Sequence, residues 1–252
     1  MFQFFVDKSQ IHESEGLAYI TGADVNHISH VLRMKPGEQF YVTDGERQGK
    51  YLCALKSVSA EQVVCDIVQN ITDTTELPCE IVLYQGLPKA DKMELIIQKA
   101  VELGVYSITP IEMKRCIVKL DDKKKKSKQT RWQAISESAA KQSKRNTIPE
   151  INEIISYKAA LNAAKELDLL LVPYENEDGI LSTKEALAKL KEAKSVGIII
   201  GPEGGFDDAE IEAAKDAGGR IISLGKRILR TETAAITAVG MCMLYTEMSE
   251  NE

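Results

Sequence analysis

The feature that most constrains the fold is an alternation of apolar runs with amphipathic stretches beyond residue 78. Short, largely apolar runs occupy 81–84, 106–108, 169–172, 196–200 and 221–224, and helical periodicity occupies 91–103, 129–144, 182–191, 207–217 and 231–247. Unbroken apolar strands are typical of a parallel sheet that is covered by helices on both faces. The sequence therefore predicts an α/β domain in this part of the chain.

The first seventy residues follow a different pattern. Runs rich in β-branched and aromatic residues lie at 17–20, 39–42, 51–55 and 62–68, with Pro-Gly and Asp-Gly turn signals between them and one helical stretch at 24–33. This pattern predicts a small antiparallel barrel or sandwich. A polar stretch over 72–78 that ends in proline marks the boundary, so we expect domains of residues 1–72 and 73–252.

Composition and the ends of the chain exclude several classes of protein. No apolar run is long enough for a membrane span, and the N-terminus lacks the basic start and apolar stretch of a signal peptide, so a cytoplasmic location is expected. The five cysteines are odd in number and never form a C-x-x-C pair. We therefore expect neither a disulfide framework nor a thiolate zinc site.

Ligands of open α/β sheets bind at the carboxyl ends of the strands, and three strand ends here carry unusual loops. Their sequences are PYE at 173–175, GPEGGF at 201–206 and GKRILRTET at 225–233. Neither the G-x-G-x-x-G dinucleotide motif after the first α/β strand nor a P-loop motif occurs. One glycine loop alone is often only a tight strand-to-helix turn, but two charged loops at neighbouring strand ends favour a ligand site.

Charge is distributed unevenly along the chain. The net charge of −6 combines a segment at 114–146, with 12 basic and 3 acidic residues, and a remainder with 20 basic and 35 acidic residues. A segment of +9 on a body of −15 is suited to phosphate binding. The lysine run at 121–128 by itself is typical of a solvated loop, so the candidates for fixed phosphate contacts are Arg115, Lys141, Lys144 and Arg145.

Several motifs together resemble one known family. They are HxxxVLR at 27–33, GLPKADKME at 86–94, QKAVELGV at 98–105, QSKRN at 142–146, GPEGG at 201–205 and LGKRILRTETA at 224–234. The chain resembles the ribosomal RNA small subunit methyltransferase E family, the SPOUT-class enzymes that make N3-methyluridine in 16S ribosomal RNA. The resemblance extends over almost the whole chain.

The resemblance implies a PUA-like antiparallel β-barrel that binds RNA, followed by a SPOUT α/β domain with a deep trefoil knot. It also implies S-adenosyl-L-methionine as cofactor, 16S ribosomal RNA or the small ribosomal subunit as partner, and a homodimer, with no metal and no membrane. The strand-end loops match the family's cofactor pocket. The expected cofactor-binding residues are Val172, Pro173, Tyr174, Glu175, Gly201, Pro202, Glu203, Gly204, Leu224, Gly225, Ile228, Leu229 and Arg230.

Methylation at N3 of uridine requires loss of a proton, because the N–H form is a poor nucleophile. We expect Arg230 to stabilise the uridine anion and Glu203 or Glu232 to act as the acid-base or cofactor-facing carboxylate. The structural alternatives are an Arg230 ion pair with Glu203 or Glu232, a loop-holding role for Glu203, and a helix-starting role for Glu232.

Expected RNA contacts and departures from the family pattern complete the sequence reading. His27 and His30 could be read with Asp24 as metal ligands, but no third strong ligand accompanies the two histidines. Packing or RNA contact is therefore favoured over metal binding. Gln3, Ala90 and Cys116 stand where the family usually has Arg, Gly and Ser. Alternative functions are an RNA-binding ribosome assembly factor without activity and a SPOUT methyltransferase acting on another RNA.

The expected RNA-binding residues are Arg33, Lys89, Lys92, Arg115, Gln142, Lys144 and Arg145.

Overall fold

The computed structural model describes residues 1–175 and 180–249. The described chain divides into a first unit of Met1–Glu76 with Ala140–Ile148 and a second unit of Leu77–Ala139 with Pro149–Glu252. The sequence pattern gave no sign that residues 140–148 belong to the first unit. The first four of them end a long basic helix, and the segment is held by contacts with residues distant in sequence.

Among the described residues, the first unit contains a six-stranded sheet in the order β1-β4-β5-β6-β3-β2. Neighbouring strands are antiparallel except β1 and β4, which are parallel. The expectation of a wholly antiparallel sheet was therefore wrong at this edge. β1 is too short to stand out in the sequence, and the long connection between β1 and β4 permits parallel pairing. The strands are β1 Gln3–Phe5, β2 Ile11–His12, β3 Leu17–Thr21, β4 Gln39–Thr43, β5 Lys50–Val58 and β6 Gln62–Ile71.

Helix α1 and the core complete the first unit. α1 (Ala23–Asn26) runs directly into a π-helical turn at His27–Val31, so the predicted helical stretch at 24–33 is present. The core is built from the inward positions of the strands together with two residues of this helical segment. Its fully buried members include Phe40, Ile20 and Ile28.

The second unit is built on a parallel sheet in the order β10-β8-β7-β12-β11-β13, with β9 also paired to β8. All these pairings are parallel, as the apolar runs predicted. The described strands are β7 Glu80–Gly86, β8 Ser107–Glu112, β9 Glu150–Ile151, β10 Ile155–Ser156, β11 Leu169–Pro173, β12 Ser195–Ile200 and β13 Arg220–Ile222. The short strands β9 and β10 were not predicted.

The helices of the second unit follow the predicted periodicity, with two differences. α4 was not predicted, and α3 begins before the predicted start, so the lysine run is helical rather than a loop. Lysine is a good helix former, and the Asp121 carboxylate accepts the Lys124 N–H at 2.8 Å in the first turn. The helices are α2 Lys92–Glu102, α3 Asp122–Ser143, α4 Tyr157–Ala164, α5 Leu181–Leu190, α6 Asp208–Asp216 and α7 Thr231–Ser249, and α3 ends in residues of the first unit.

Candidate active site

A cleft lies at the carboxyl ends of β11 and β12 in the second unit. Its volume of about 460 Å³ is in the range of small-molecule sites, roughly 300–1,000 Å³. The sheet topology brings the ends of these strands together with the start of α7. The cleft is lined by Lys92, Pro173, Glu175, Ile200, Gly201, Pro202, Glu203, Gly204, Gly205, Phe206, Ile228, Leu229, Arg230, Thr231 and Ala234.

A smaller cavity of about 70 Å³ adjoins the cleft and shares Pro173, Glu175, Leu229 and Ala234 with it. This cavity adds Tyr174, Leu224 and Gly225 to the lining. Twelve of the thirteen expected cofactor residues therefore line one cavity or the other.

Val172 is the expected cofactor residue that lines neither cavity. It lies inside β11 and is fully buried. Because both faces of this sheet are covered, its side chain packs in the core, whereas Pro173 ends the strand at the cleft.

Glycines let the loop after β12 pass close to its neighbours. A Cβ atom on Gly86, at the end of β7, would lie 2.7 Å from the backbone nitrogen of Pro202. A Cβ atom on Gly204 would lie 2.9 Å from the Cβ atom of Arg115, and Gly205 has a φ of +67°. Side chains at these positions would displace the cleft wall.

A buried hydrogen-bond network ties the cleft loop to α7. The Thr231 hydroxyl donates to the Gly201 carbonyl at 2.7 Å, and the Gln85 side-chain amide donates to the Thr231 Oγ1 atom at 3.0 Å. The same amide nitrogen donates to the Gly86 carbonyl at 2.9 Å. Three segments that are separate in sequence are thus fixed to one another at the cleft floor.

Lys92 links two of the expected catalytic carboxylates. Its Nζ atom lies 3.1 Å from Glu203 Oε1 and 3.3 Å from Glu232 Oε2. Glu203 Oε1 also accepts the backbone N–H of Lys89 at 3.0 Å. All three charged side chains are mostly shielded from solvent, with exposures of 25%, 24% and 14% for Lys92, Glu203 and Glu232.

These contacts shift the pKa values of the lysine and of one carboxylate. The contact with Glu203 raises the pKa of Lys92, and the contact with Glu232 adds to the effect. Partial burial acts to raise the pKa of Glu203, but the hydrogen bond from the Lys89 N–H and the ion pair with Lys92 outweigh it, so the pKa lies below its usual value. Glu203 is therefore a weak proton acceptor in this arrangement.

Arg230 lines the cleft, and it is exposed. Within the described residues, its guanidinium makes no hydrogen bond or ion pair, and the carboxylates of Glu203 and Glu232 are paired with Lys92 instead. The sequence analysis allowed an ion pair between Arg230 and Glu203 or Glu232. In the structure, Lys92 and not Arg230 pairs with these glutamates.

The expected RNA contacts have different surroundings. Arg33 is exposed and has a positive φ of 52°, and Gln142 is exposed as well. Arg115 donates to the Gly204 carbonyl at 3.2 Å, which places it against the cleft loop. Lys89 is exposed, whereas Lys92 is held in the carboxylate pair described above.

Arg145 was wrongly expected to contact RNA phosphate. Its side chain is 4% exposed and forms an ion pair with Glu76, which is equally buried. Neighbouring Lys144 has a φ of 64°, and its ammonium donates to the Met1 carbonyl. Sequence reasoning missed the pair because Glu76 lies far away in the chain, within the polar boundary segment.

Within residues 1–175 and 180–249, no group of three or more His, Cys, Asp or Glu side chains is arranged to hold a metal ion. No described helix is both long enough and apolar enough to cross a membrane.

Several residues of the site were not among the individually expected cofactor residues, although two of them lie in the predicted loops. Phe206 and Thr231 line the cleft, and Gln85 anchors its floor. A polar residue at the end of an otherwise apolar strand is the signal that marks Gln85. For Thr231 the only sequence signal is its position at the expected start of α7.

Comparison with known proteins identifies the class. The RNA methyltransferase domain family matches residues 75–243, and the RNA methyltransferase PUA domain family matches residues 20–68. Together these matches cover most of the chain, and the first contains every residue of the cleft.

Full-length relatives make the assignment more specific. The ribosomal RNA small subunit methyltransferase E of Bacillus subtilis is 38% identical over 98% of each chain, and that of Mesomycoplasma hyopneumoniae is 38% identical over 96% of this chain and 99% of its own. The crystal structure of the Neisseria gonorrhoeae protein of that name, bound to S-adenosyl methionine, has a TM-score of 0.81 at 32% identity over 96% of both chains. A putative methyltransferase from Legionella pneumophila, solved with the same cofactor, has a TM-score of 0.83 at 32% identity over 96% of this chain and 97% of its own. The chain belongs to the ribosomal RNA small subunit methyltransferase E family.

Proposed function

We propose that this protein binds S-adenosyl-L-methionine in the cleft and methylates N3 of a specific uridine in 16S ribosomal RNA of the small subunit. The observation that carries the proposal is the cleft itself. It brings together the GPEGG loop, an unpaired Arg230 and the carboxylates that pair with Lys92. The chain is also similar over nearly its full length to a Neisseria methyltransferase that was solved with this cofactor bound.

The cleft fits the cofactor in size and in chemistry. The glycine loop at 201–205 lets a ligand approach closely, and the apolar side chains of Ile200, Phe206 and Leu229 suit a nucleoside. The exposed carboxylate of Glu175 at the rim suits a hydroxyl or ammonium group. Bound there, the cofactor supplies a methyl group that its sulfonium already activates.

The protein's own task is to position the uridine and to manage its proton. A base inside a helix must be flipped out or taken from a loop before N3 can be reached. The unpaired Arg230 guanidinium would stabilise the uridine anion at O2 or O4 and so lower the cost of losing the N3 proton. Because the pKa of Glu203 is lowered, this carboxylate serves better to hold the loop and Lys92 than to accept the proton. Water or the second carboxylate, Glu232, is then the proton acceptor.

The remaining parts of the proposal concern architecture and assembly. We propose that the first unit is a PUA-like barrel that binds RNA, and that the domains begin and end near 1–72 and 73–252. The position of β12 between β7 and β11, although β12 follows β11 in the chain, is compatible with a deep trefoil knot in the second unit. A homodimer in the cytoplasm completes the proposal.

Mass spectrometry of small-subunit RNA tests the activity. Purified protein is incubated with small subunits that lack the modification and with the cofactor, and the digested RNA is analysed for N3-methyluridine. Incorporation that depends on Arg230 supports the proposal. Cofactor binding in calorimetry with a methylated product other than N3-methyluridine would point to another RNA target. Absence of both binding and product would favour an assembly factor without activity.

A further inference from the structure

Lys92 is the only described side chain paired with both Glu203 and Glu232. We propose that Lys92 is a positioning residue, which occupies these two carboxylates and thereby keeps the Arg230 guanidinium free for the substrate. The proposal rests on the proposed function, in which Arg230 contacts the uridine.

Arg230 shares the cleft with one of the two glutamates that pair with Lys92 and the start of α7 with the other. It lines the same cleft as Glu203 and precedes Glu232 by two residues at the start of α7. A guanidinium binds carboxylates through two parallel hydrogen bonds and is more weakly hydrated than an ammonium. Without a competitor, Arg230 would therefore pair with one of these glutamates and would no longer be available to a substrate.

Lys92 is well placed to be that competitor. It lies in the first turn of α2, so its backbone is fixed by the helix. The Lys89 N–H holds Glu203 Oε1 beside it at 3.0 Å. Because the pair with Glu232 is mostly shielded from solvent, screening weakens it less than a surface pair. The ammonium is charged at neutral pH at its ordinary pKa, and the contact with Glu203 raises that pKa further.

The direct test is structural and does not depend on activity. Lys92→Met removes the charge while keeping a long side chain, and Lys99→Met removes a lysine from the same helix that pairs with Glu102 at 2.8 Å. In a crystal structure of K92M, the Arg230 guanidinium is expected within about 4 Å of Glu203 or Glu232. In K99M and in the unaltered protein it stays unpaired. An unpaired Arg230 in K92M overturns the proposal.

A double-mutant cycle supplies the functional test. Arg230→Ala is introduced into the unaltered protein and into K92M, and single-turnover methylation of small-subunit RNA is measured. The arginine is expected to contribute about 100-fold with Lys92 present and less than about threefold without it, because Arg230 is then captured. Equal contributions in both backgrounds refute the positioning role.

Two further variants separate positioning from general structural support. K92R preserves a cation and is expected to retain most of the turnover, and E232Q in the K92M background removes a competing carboxylate and is expected to restore part of it. Cofactor affinity in calorimetry should change less than about threefold in K92M. A large loss of affinity with no recovery in these variants would make Lys92 a support of the cofactor loop and refute the proposal.

If K92M does not fold, K92Q takes its place in every comparison. If the unaltered protein produces no N3-methyluridine, the proposed function fails, while the crystal structures still decide the role of Lys92.

Discussion

Replacing Glu76 by glutamine should destabilise the first unit strongly. The carboxylate accepts hydrogen bonds from the Arg145 guanidinium and from the backbone N–H groups of Asn146 and Thr147 at 2.9 and 3.2 Å. Both charged side chains are 4% exposed. These contacts attach residues 140–148 to the rest of the first unit. The segment is separated from residues 1–76 in sequence, so its place in the unit depends on such contacts.

The magnitude follows from what glutamine leaves behind. Glutamine has no negative charge, so Arg145 becomes a buried cation without a counter-charge. The NH₂ group of glutamine is also a donor, and it faces the N–H groups that donate to the Glu76 carboxylate. Breaking a buried ion pair by removing one partner costs about 3–5 kcal/mol. At 1.4 kcal/mol per factor of ten, amide exchange in the unit should speed up roughly 140-fold to 3,700-fold.

Native-state hydrogen exchange, analysed by mass spectrometry on peptides from β4 and β5, measures this loss within the first unit. Asp66→Asn is the matched control, since Asp66 pairs with Lys56 at 2.8 Å and both side chains are about half exposed. That surface pair should contribute less than about 1 kcal/mol. If E76Q accelerates exchange no more than D66N does, the buried pair does not anchor the segment.

The same substitution has a predictable pH dependence. Burial acts to raise the pKa of Glu76, but the hydrogen bond and charge of Arg145 outweigh it, so the pKa lies below the usual 4.5. The stabilisation is therefore complete above about pH 4.5 and is lost as the pH falls through the lowered pKa. The difference between the unaltered protein and E76Q should be constant from pH 7 to 5 and shrink below that range. A difference that persists unchanged at pH 3 would contradict this cause.

Two substitutions test backbone geometry. Ala90 has a φ of 55°, so Ala90→Gly should raise the free energy of unfolding by about 1 kcal/mol in calorimetry. Ala163→Gly in helix α4 should lower it by about the same amount. Changes of the same sign in both variants would refute the argument. Gly86→Ala places a Cβ atom 2.7 Å from the Pro202 nitrogen and should weaken cofactor binding about tenfold or more in calorimetry, while Gly240→Ala, 3.7 Å from its nearest neighbour, should not. Unchanged affinity in G86A would show that the loop can shift without cost.

Sequence patterns were sufficient for the long strands, for most of the helices and for the position of the cleft. Apolar runs marked the long strands, and the rule that ligands bind at the carboxyl ends of parallel strands selected the loops at 173–175, 201–206 and 225–233. These loops line the cleft and the adjoining cavity. The departure at Ala90 also has a physical meaning, because its positive φ is the conformation that glycine adopts without strain.

Side-chain partners could not be predicted in the same way. Lys92 was expected to contact RNA, and its actual partners Glu203 and Glu232 lie on other elements, far along the chain. Arg145 was misjudged for the same reason, since its partner Glu76 precedes the whole second unit. A charge pattern gives the number of cations in a segment, but only the fold determines which of them are already neutralised.

The formal charge of +9 at 114–146 therefore overstates the charge available to RNA. Lys125 pairs with Glu112 at 2.8 Å and Lys114 with Asp207 at 2.9 Å, whereas Lys123 and Lys126 on α3 are exposed and have no ion pair within the described residues. Reversing these two lysines together should reduce the slope of log affinity against log salt by about 1.4 for single-stranded RNA, because two phosphate contacts are lost. Fluorescence anisotropy at several salt concentrations measures the slope, and the control Lys158→Glu with Lys165→Glu makes the same charge change outside the segment. Equal slopes for both double variants would mean that RNA responds to net charge and not to this face of α3.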